Sequence, residues 1–185
     1  MIERFDLSDL ARCNMERHRS IEQRMDFYDP IVVEHWRGGE KIAVYDAHND
    51  IVNQGKNTIF GVMFYGQTQT PAANWFLGLI SNVGYSALNN TDVMNSHSGW
   101  TEFTNYSGGA RPGWGPGVPT SQQVTNATPV NFNITASGTT KGIFVVTDNT
   151  LGGTIGVLWA TALWNQGDVP VNNGDLLKAT YTVSA

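Results

Sequence analysis

The apolar positions change period once along the chain. Over residues 6–28, Leu7, Leu10, Ile21, Met25 and Tyr28 recur at helical spacing with gaps, and Cys13 or Asn14 falls in the same register. Asp6 can cap a first turn, and Asp9 adds negative charge at the positive end of the helix dipole. The stripe is narrow and is broken by Arg17 and His18, so it cannot hold a helix in water unaided. Such a helix must dock on the rest of the chain, on a neighbouring subunit or on a larger assembly. Asp29-Pro30 ends it, because the residue before a proline leaves the α region. The sequence thus predicts a helical arm over residues 1–30.

From Ile31 the pattern becomes that of strands. Ile31–Trp36 is β-branched and aromatic, Arg37-Gly38-Gly39-Glu40 is a turn, and Lys41–Asp46 alternates roughly, which predicts a hairpin. Asn49 to Asn57 reads as a second turn-rich stretch. Thr58 to Tyr65 is apolar without clear alternation and fits a short helix or a strand. Further strands are predicted near residues 74–81, 130–136, 141–147, 155–163 and 175–184, separated by turns rich in Gly, Asn, Asp and Pro. The last alternates best, with Leu177, Ala179, Tyr181 and Val183 on one side. Many short strands with such turns indicate a mainly β fold, an antiparallel β-sandwich or barrel-like body over residues 31–185. A long irregular stretch, about Val83 to Pro129, interrupts it, and stretches of that length carry function or bind a neighbour.

Charge sharpens this division. Residues 1–56 carry 8 Lys/Arg and 11 Asp/Glu, whereas residues 57–185 carry only 3 Lys/Arg and 5 Asp/Glu. Low charge with many aromatics opposes disorder in the second part. The net charge of −5 and the lack of a basic stripe exclude electrostatic binding to nucleic acid. No apolar run approaches the length of a membrane span, and no apolar h-region stands near Met1, so neither a span nor a secretory signal is expected. The single cysteine, Cys13, allows no internal disulfide and suits synthesis in a cytosol.

Candidate chemistry concentrates in Met94–Glu102, with Tyr106 and Arg111-Pro112-Gly113-Trp114 following. Glu102 and Arg111 are among the few charges of this part, and His97 is the only histidine beyond residue 57. Three arrangements compete. A catalytic site would use His97 as base and Glu102 as orienter, but Ser96 and Ser98 lack a nucleophile context. A glycan platform would use Trp100, Tyr106 and Trp114 with Arg111. The reading given most weight is structural: a loop pinned by a buried Glu102–Arg111 pair and by aromatic packing, since buried charges persist when paired. Asp46–Asp50 lacks the ligand spacing of a calcium loop and reads as turn chemistry. His18 and His35 stand alone, the glycines of 108–117 lack a following Gly-Lys-Ser/Thr, and no metal or cofactor is expected.

Two segments carry a resemblance. They are His48-Asn49-Asp50-Ile51-Val52-Asn53-Gln54-Gly55-Lys56-Asn57, and Met94-Asn95-Ser96-His97-Ser98-Gly99-Trp100-Thr101-Glu102 with Tyr106 and Arg111-Pro112. Together they resemble a group of small β-rich structural proteins of tailed bacteriophages. In that group an Asn-x-Val-Val-x-x-Gly-x-Asn segment and an apolar stretch precede His-x-Gly-Trp-x-Glu. The resemblance covers about residues 31–185. It implies a non-enzymatic virion component, either capsid decoration (cement) or part of a tail or fibre, and it implies no catalytic residue. The expectation is a protein made in the host cytoplasm that forms a homo-oligomer, such as a trimer. Its arm would grip the major capsid protein, another virion protein or a sister subunit. The alternative expectation is a receptor- or glycan-binding module of a tail or fibre.

Overall fold

The computed structural model describes residues 30–184. The helical arm, with Leu7, Leu10, Ile21, Met25 and Tyr28, lies outside these residues except for Pro30, which begins the first strand.

The fold is mainly β. Strands β1 (Pro30–Arg37) and β2 (Glu40–Ile51) form the first hairpin, followed by helix α1 (Asn53–Phe64) and β3 (Phe76–Ser81). Then come β4 (Glu102–Phe103), β5 (Gln123–Thr125), β6 (Val130–Asn133), β7 (Gly138–Val146), β8 (Leu158–Leu163), β9 (Val169–Val171) and β10 (Leu176–Ser184). All ten strands join one antiparallel sheet in the order β4-β3-β7-β8-β2-β1-β10-β5, with β6 also on β10 and β9 on β7. The sheet does not close, so the barrel form is not adopted.

Long β2 makes the corner. Its first part pairs with β1, and Asn49–Ile51 pair with β8. Ile31 and Val33 of β1, Phe132 of β6 and Leu177 and Tyr181 of β10 meet Leu77, Leu79, Ile143 and Val145 of the other half in one core cluster. The sheet is therefore doubled over on itself, as in a sandwich. A second cluster, Val52, Ile80, Met94, Trp100, Phe144, Val146 and Leu158, fills the opposite face of β3, β7 and β8. This explains two patterns in the sequence. Gly142–Val146 is continuously apolar because both of its faces are covered, while β10 alternates because one face is.

The hairpin turn is made by Gly38 (φ +60°) and Gly39 (φ +87°), the two left-handed positions that a two-residue turn requires. The turn expected over Asn49–Asn57 does not form. β2 runs on to Ile51, and α1 begins at Asn53. Pairing with β8 overrides the polar local sequence, and the Val52 N–H donates to the Trp159 carbonyl at 3.0 Å. Gly55 then lets the helix approach the Trp159 carbonyl so closely that a Cβ there would collide with it. Asp46–Asp50 is likewise strand and not turn, and Asp46 accepts bonds from the side-chain amides of Asn165 and Gln166. Strands β4, β5 and β9 escape a reading of the sequence because two or three residues show no period.

One ion cluster ties the ends of the described fold together. His35 is buried and bonds through Nε2 to Asp175 at 2.8 Å. Arg37 donates from Nε and Nη2 to the same carboxylate at 2.7 and 2.8 Å, and the Asn172 N–H donates at 2.7 Å. Arg37 chiefly, with Asn172 and His35 adding to it and burial opposing, holds the Asp175 carboxyl well below the usual carboxylate range. His35 therefore has a partner, 140 residues away in sequence. A depressed folded pKa gives stability that is complete above the unfolded value of about 3.9 and is lost as pH falls through the folded one. Asp175→Asn should cost roughly 3 kcal/mol at pH 7, by taking the carboxylate from buried His35 and from the fork of half-exposed Arg37. It should also flatten the acid limb of the Tm-against-pH curve below about pH 4. Thermal melts across pH check this, and an unchanged acid limb would remove Asp175 from the role.

Candidate functional site

The irregular stretch between β3 and β6 is pinned by a single arginine. The Arg111 side chain has no exposed surface, and that of Glu102 is 7% exposed. Arg111 donates to Glu102 twice, Nε to Oε1 at 3.0 Å and Nη2 to Oε2 at 2.9 Å, as a two-pronged pair. Its remaining donors reach backbone carbonyls, Nη1 to Asp148 at 3.0 Å and Nη2 to Gly153 at 2.8 Å. Its own N–H donates to the Asn149 carbonyl at 2.8 Å. Glu102 is filled from the other side by the Gly152 N–H at 2.7 Å and by the Tyr106 hydroxyl at 3.3 Å. Burial first, then the Glu102 charge, pushes the Tyr106 phenol far above its ordinary range, so it serves as a donor throughout the working pH range. The guanidinium also stacks over Phe144, 5.2 Å from the ring centre.

This arrangement does not couple His97 to Glu102. His97 is stacked on Trp100 at 3.9 Å between ring centres, and its Nδ1 lies 3.1 Å from the Trp100 carbonyl. Glu102 is committed to Arg111, Tyr106 and Gly152, so it does not orient His97. The two line a cavity of about 200 Å³ with Met94, Trp100 and Arg111, but they do not form the base–orienter pair of the catalytic expectation. Among the described residues no group of three or more His, Cys, Asp or Glu could hold a metal ion.

The glycan platform is not presented either. Trp100, Tyr106 and Trp114 are 1%, 4% and 6% exposed. Trp100 donates to Asp92 at 3.0 Å and packs on Phe144. Tyr106 stands edge-on to Phe132. Trp114 is apart from both, in the main core, where it donates to the Tyr181 carbonyl at 3.1 Å and packs on the Tyr181 ring. None offers a face to a sugar. The structure thus gathers Glu102, Tyr106 and Arg111 into one hub, places His97 and Trp100 beside it, and separates Trp114.

A different surface is unfilled. Helix α1 has one buried residue, Gly55. Ile59 and Val62 turn toward Trp75 and Trp159, where they line a shallow pocket. Met63 at the pocket rim, Phe60 and Phe64 on the helix, and Tyr65 just after it are 67%, 60%, 81% and 90% exposed. Phe60 and Phe64 stack with centres 6.4 Å apart. Nothing in their spacing singles these residues out, because an apolar run has the same appearance whether or not it is covered.

No protein-family model matches this chain, and no curated protein matches it. The functional reading therefore rests on the geometry and on the residues themselves.

Arg111→Lys should cost roughly 3 kcal/mol, because an ammonium cannot reproduce a planar fork reaching one carboxylate and two carbonyls. The urea midpoint measures the loss. A midpoint equal to that of the unaltered protein would show that other contacts hold the loops.

Proposed function

We propose that this protein is a structural component of a tailed-bacteriophage virion, a capsid decoration (cement) protein that oligomerises and stabilises the shell. It is made in the host cytoplasm, acts on the particle without enzymatic activity or cofactor, and contacts the major capsid protein or another virion protein. The observation that carries the reading is the apolar face of α1, where four large side chains stand at least 60% exposed in one contiguous stretch, Phe60–Tyr65. Contiguous apolar surface of this kind marks an interaction site.

The occupant proposed for that face is a second copy of the chain, in a closed form such as a trimer. Lys56 is the only charge in α1, so copies can approach without repulsion. The nearly uncharged surface of residues 57–185 favours close packing of many copies in the same way. The resemblance carried by His48–Asn57 and Met94–Glu102 supports the same assignment. The arm of residues 1–30 then grips the shell or a sister subunit through Leu7, Leu10, Ile21, Met25 and Tyr28. The receptor- or glycan-binding alternative gains nothing from Trp100, Tyr106, Arg111 and Trp114, all of which are buried.

Phe64→Asp combined with Tyr65→Asp should convert the oligomer to monomer in sedimentation at micromolar concentration, with the circular dichroism spectrum unchanged. A monomeric unaltered protein, or an oligomer that survives the change, would refute self-association through α1. Deleting residues 1–28 should abolish binding to capsids stripped of the protein. Undiminished binding by the truncated chain would count against the clamp.

A further inference from the structure

An open groove of about 430 Å³ runs between the segment Tyr85–Asn90 and the strands β2 and β8. Its floor is built from Asp50 and Thr161, which face each other across the β2–β8 ladder. Its wall carries Tyr85, Asn89 and Asn90.

Thr161 is 4% exposed, yet its hydroxyl has no hydrogen-bond partner among the described residues. A buried hydroxyl left unpaired costs about 1–3 kcal/mol, so a group arriving from the groove would recover that loss. The side chains of Asp50, Asn89 and Asn90 are exposed and also lack a partner among the described residues. Their backbones, by contrast, are fixed. The Asn89 N–H donates to Asp92 at 3.1 Å, and the Asn90 carbonyl accepts from Asn53 at 2.8 Å. The wall is therefore set before anything binds, which lowers the entropy cost of binding.

The chemistry of the lining selects the ligand. The lining holds one carboxylate, Asp50, and one imidazole, His48, with no Lys or Arg, so it forms no cationic fork to cradle an anion. A lone carboxylate does not make a metal site. A peptide cannot add as a strand, because Asn49–Ile51 and Ala160–Ala162 already pair with each other. What remains is a neutral ligand dense in groups that both donate and accept. Amides, a carboxylate and a hydroxyl match vicinal alcohols in that way, and the half-buried Tyr85 ring adds an apolar flank.

We infer that this groove is a binding subsite for a neutral saccharide, held by Asp50, Asn89, Asn90 and Thr161 with Tyr85 alongside. It is independent of the aromatic cluster around Trp100 and does not require the assembly reading. Each contact is shallow and weak, and many copies on one particle would multiply it.

The test uses the full-length protein on an array of immobilised neutral and acidic oligosaccharides, followed by titration calorimetry with the best neutral hit. Saturable binding to neutral glycans is expected. Asn89→Ala with Asn90→Ala should weaken it at least about tenfold, the worth of one or two hydrogen bonds. These side chains are exposed and unbonded, so the double variant should melt like the unaltered protein. Thr161→Val should weaken binding as well. No binding to any neutral glycan, binding to acidic glycans alone, or binding unchanged in the double variant would overturn the assignment.

Discussion

The irregular segment between β3 and β6 can be ordered only if its backbone polar groups find partners. It contains little regular structure beyond β4 and β5. Backbone bonds within the segment and to the sheet meet much of this demand, as from Ala87 to Gly99, from Leu77 to Pro112 and from Trp114 to Trp75, and Arg111 adds charged ties. One guanidinium ties Glu102 at the start of β4 to the backbone of Asp148 and Gly153, which lie beyond β7. The chain there is held to the sheet by these charge-assisted bonds in addition to the short ladders of β4 and β5. A buried pair is weak as a source of net stability but strong as a specifier of one arrangement, since removing either partner strands the other. The covering of β3, β7 and β8 depends on that arrangement, because Met94 and Trp100 of the same segment complete the second core cluster.

That covering bears on where charge sits among the described residues. The half of the sheet containing β3, β7 and β8 is buried on both faces, so its strands have few positions where a charge could meet water. The β1–β2–β10 half keeps an outer face, and the charges collect there. Lys41 bonds Glu34 at 3.0 Å, and Lys178 lies over Trp36 at 4.3 Å from the ring centre. Such exposed pairs contribute little to stability. Their effect is on solubility and on keeping that face from pairing with other chains. Among the described residues the charges of β1 and β2 thus follow the uncovered face of the sheet.

What could be read from the sequence follows the range of the interaction. The hairpin was legible in Arg37-Gly38-Gly39-Glu40, and β10 in its alternation, because both signals are local. The Glu102–Arg111 pair was legible because two charges in a nearly uncharged region have few other partners. The His35–Asp175 bond was not, since nothing in the composition joins residues so far apart in the chain. The same holds for Thr161, which reads as an ordinary strand threonine until its neighbours are known. Trp100, Tyr106 and Trp114 misled as a platform because a sequence shows an aromatic but not which side of the sheet it occupies.

The two surfaces left open by the fold share an anchor. The first turn of α1 is held by Val52 to Trp159, by the Gln54 side chain to Leu158 and by Asn53 to Asn90. Among the described residues the helix end is closed only by its own chain, with the Tyr65 and Gln67 N–H groups donating to the Gly61 carbonyl, and Phe64 and Tyr65 project into solvent. A helix fixed at its start and bare at its end can offer an apolar face without loosening the sheet beneath it. The Asn53–Asn90 bond belongs equally to the groove wall, so the position of α1 and the position of the Asn89-Asn90 amides are set by one contact. Covering the helix end by a neighbouring copy would steady that contact, and with it the wall of the groove. On the proposed function, a copy docked at the helix end and a ligand in the groove would both bear on that one backbone hydrogen bond.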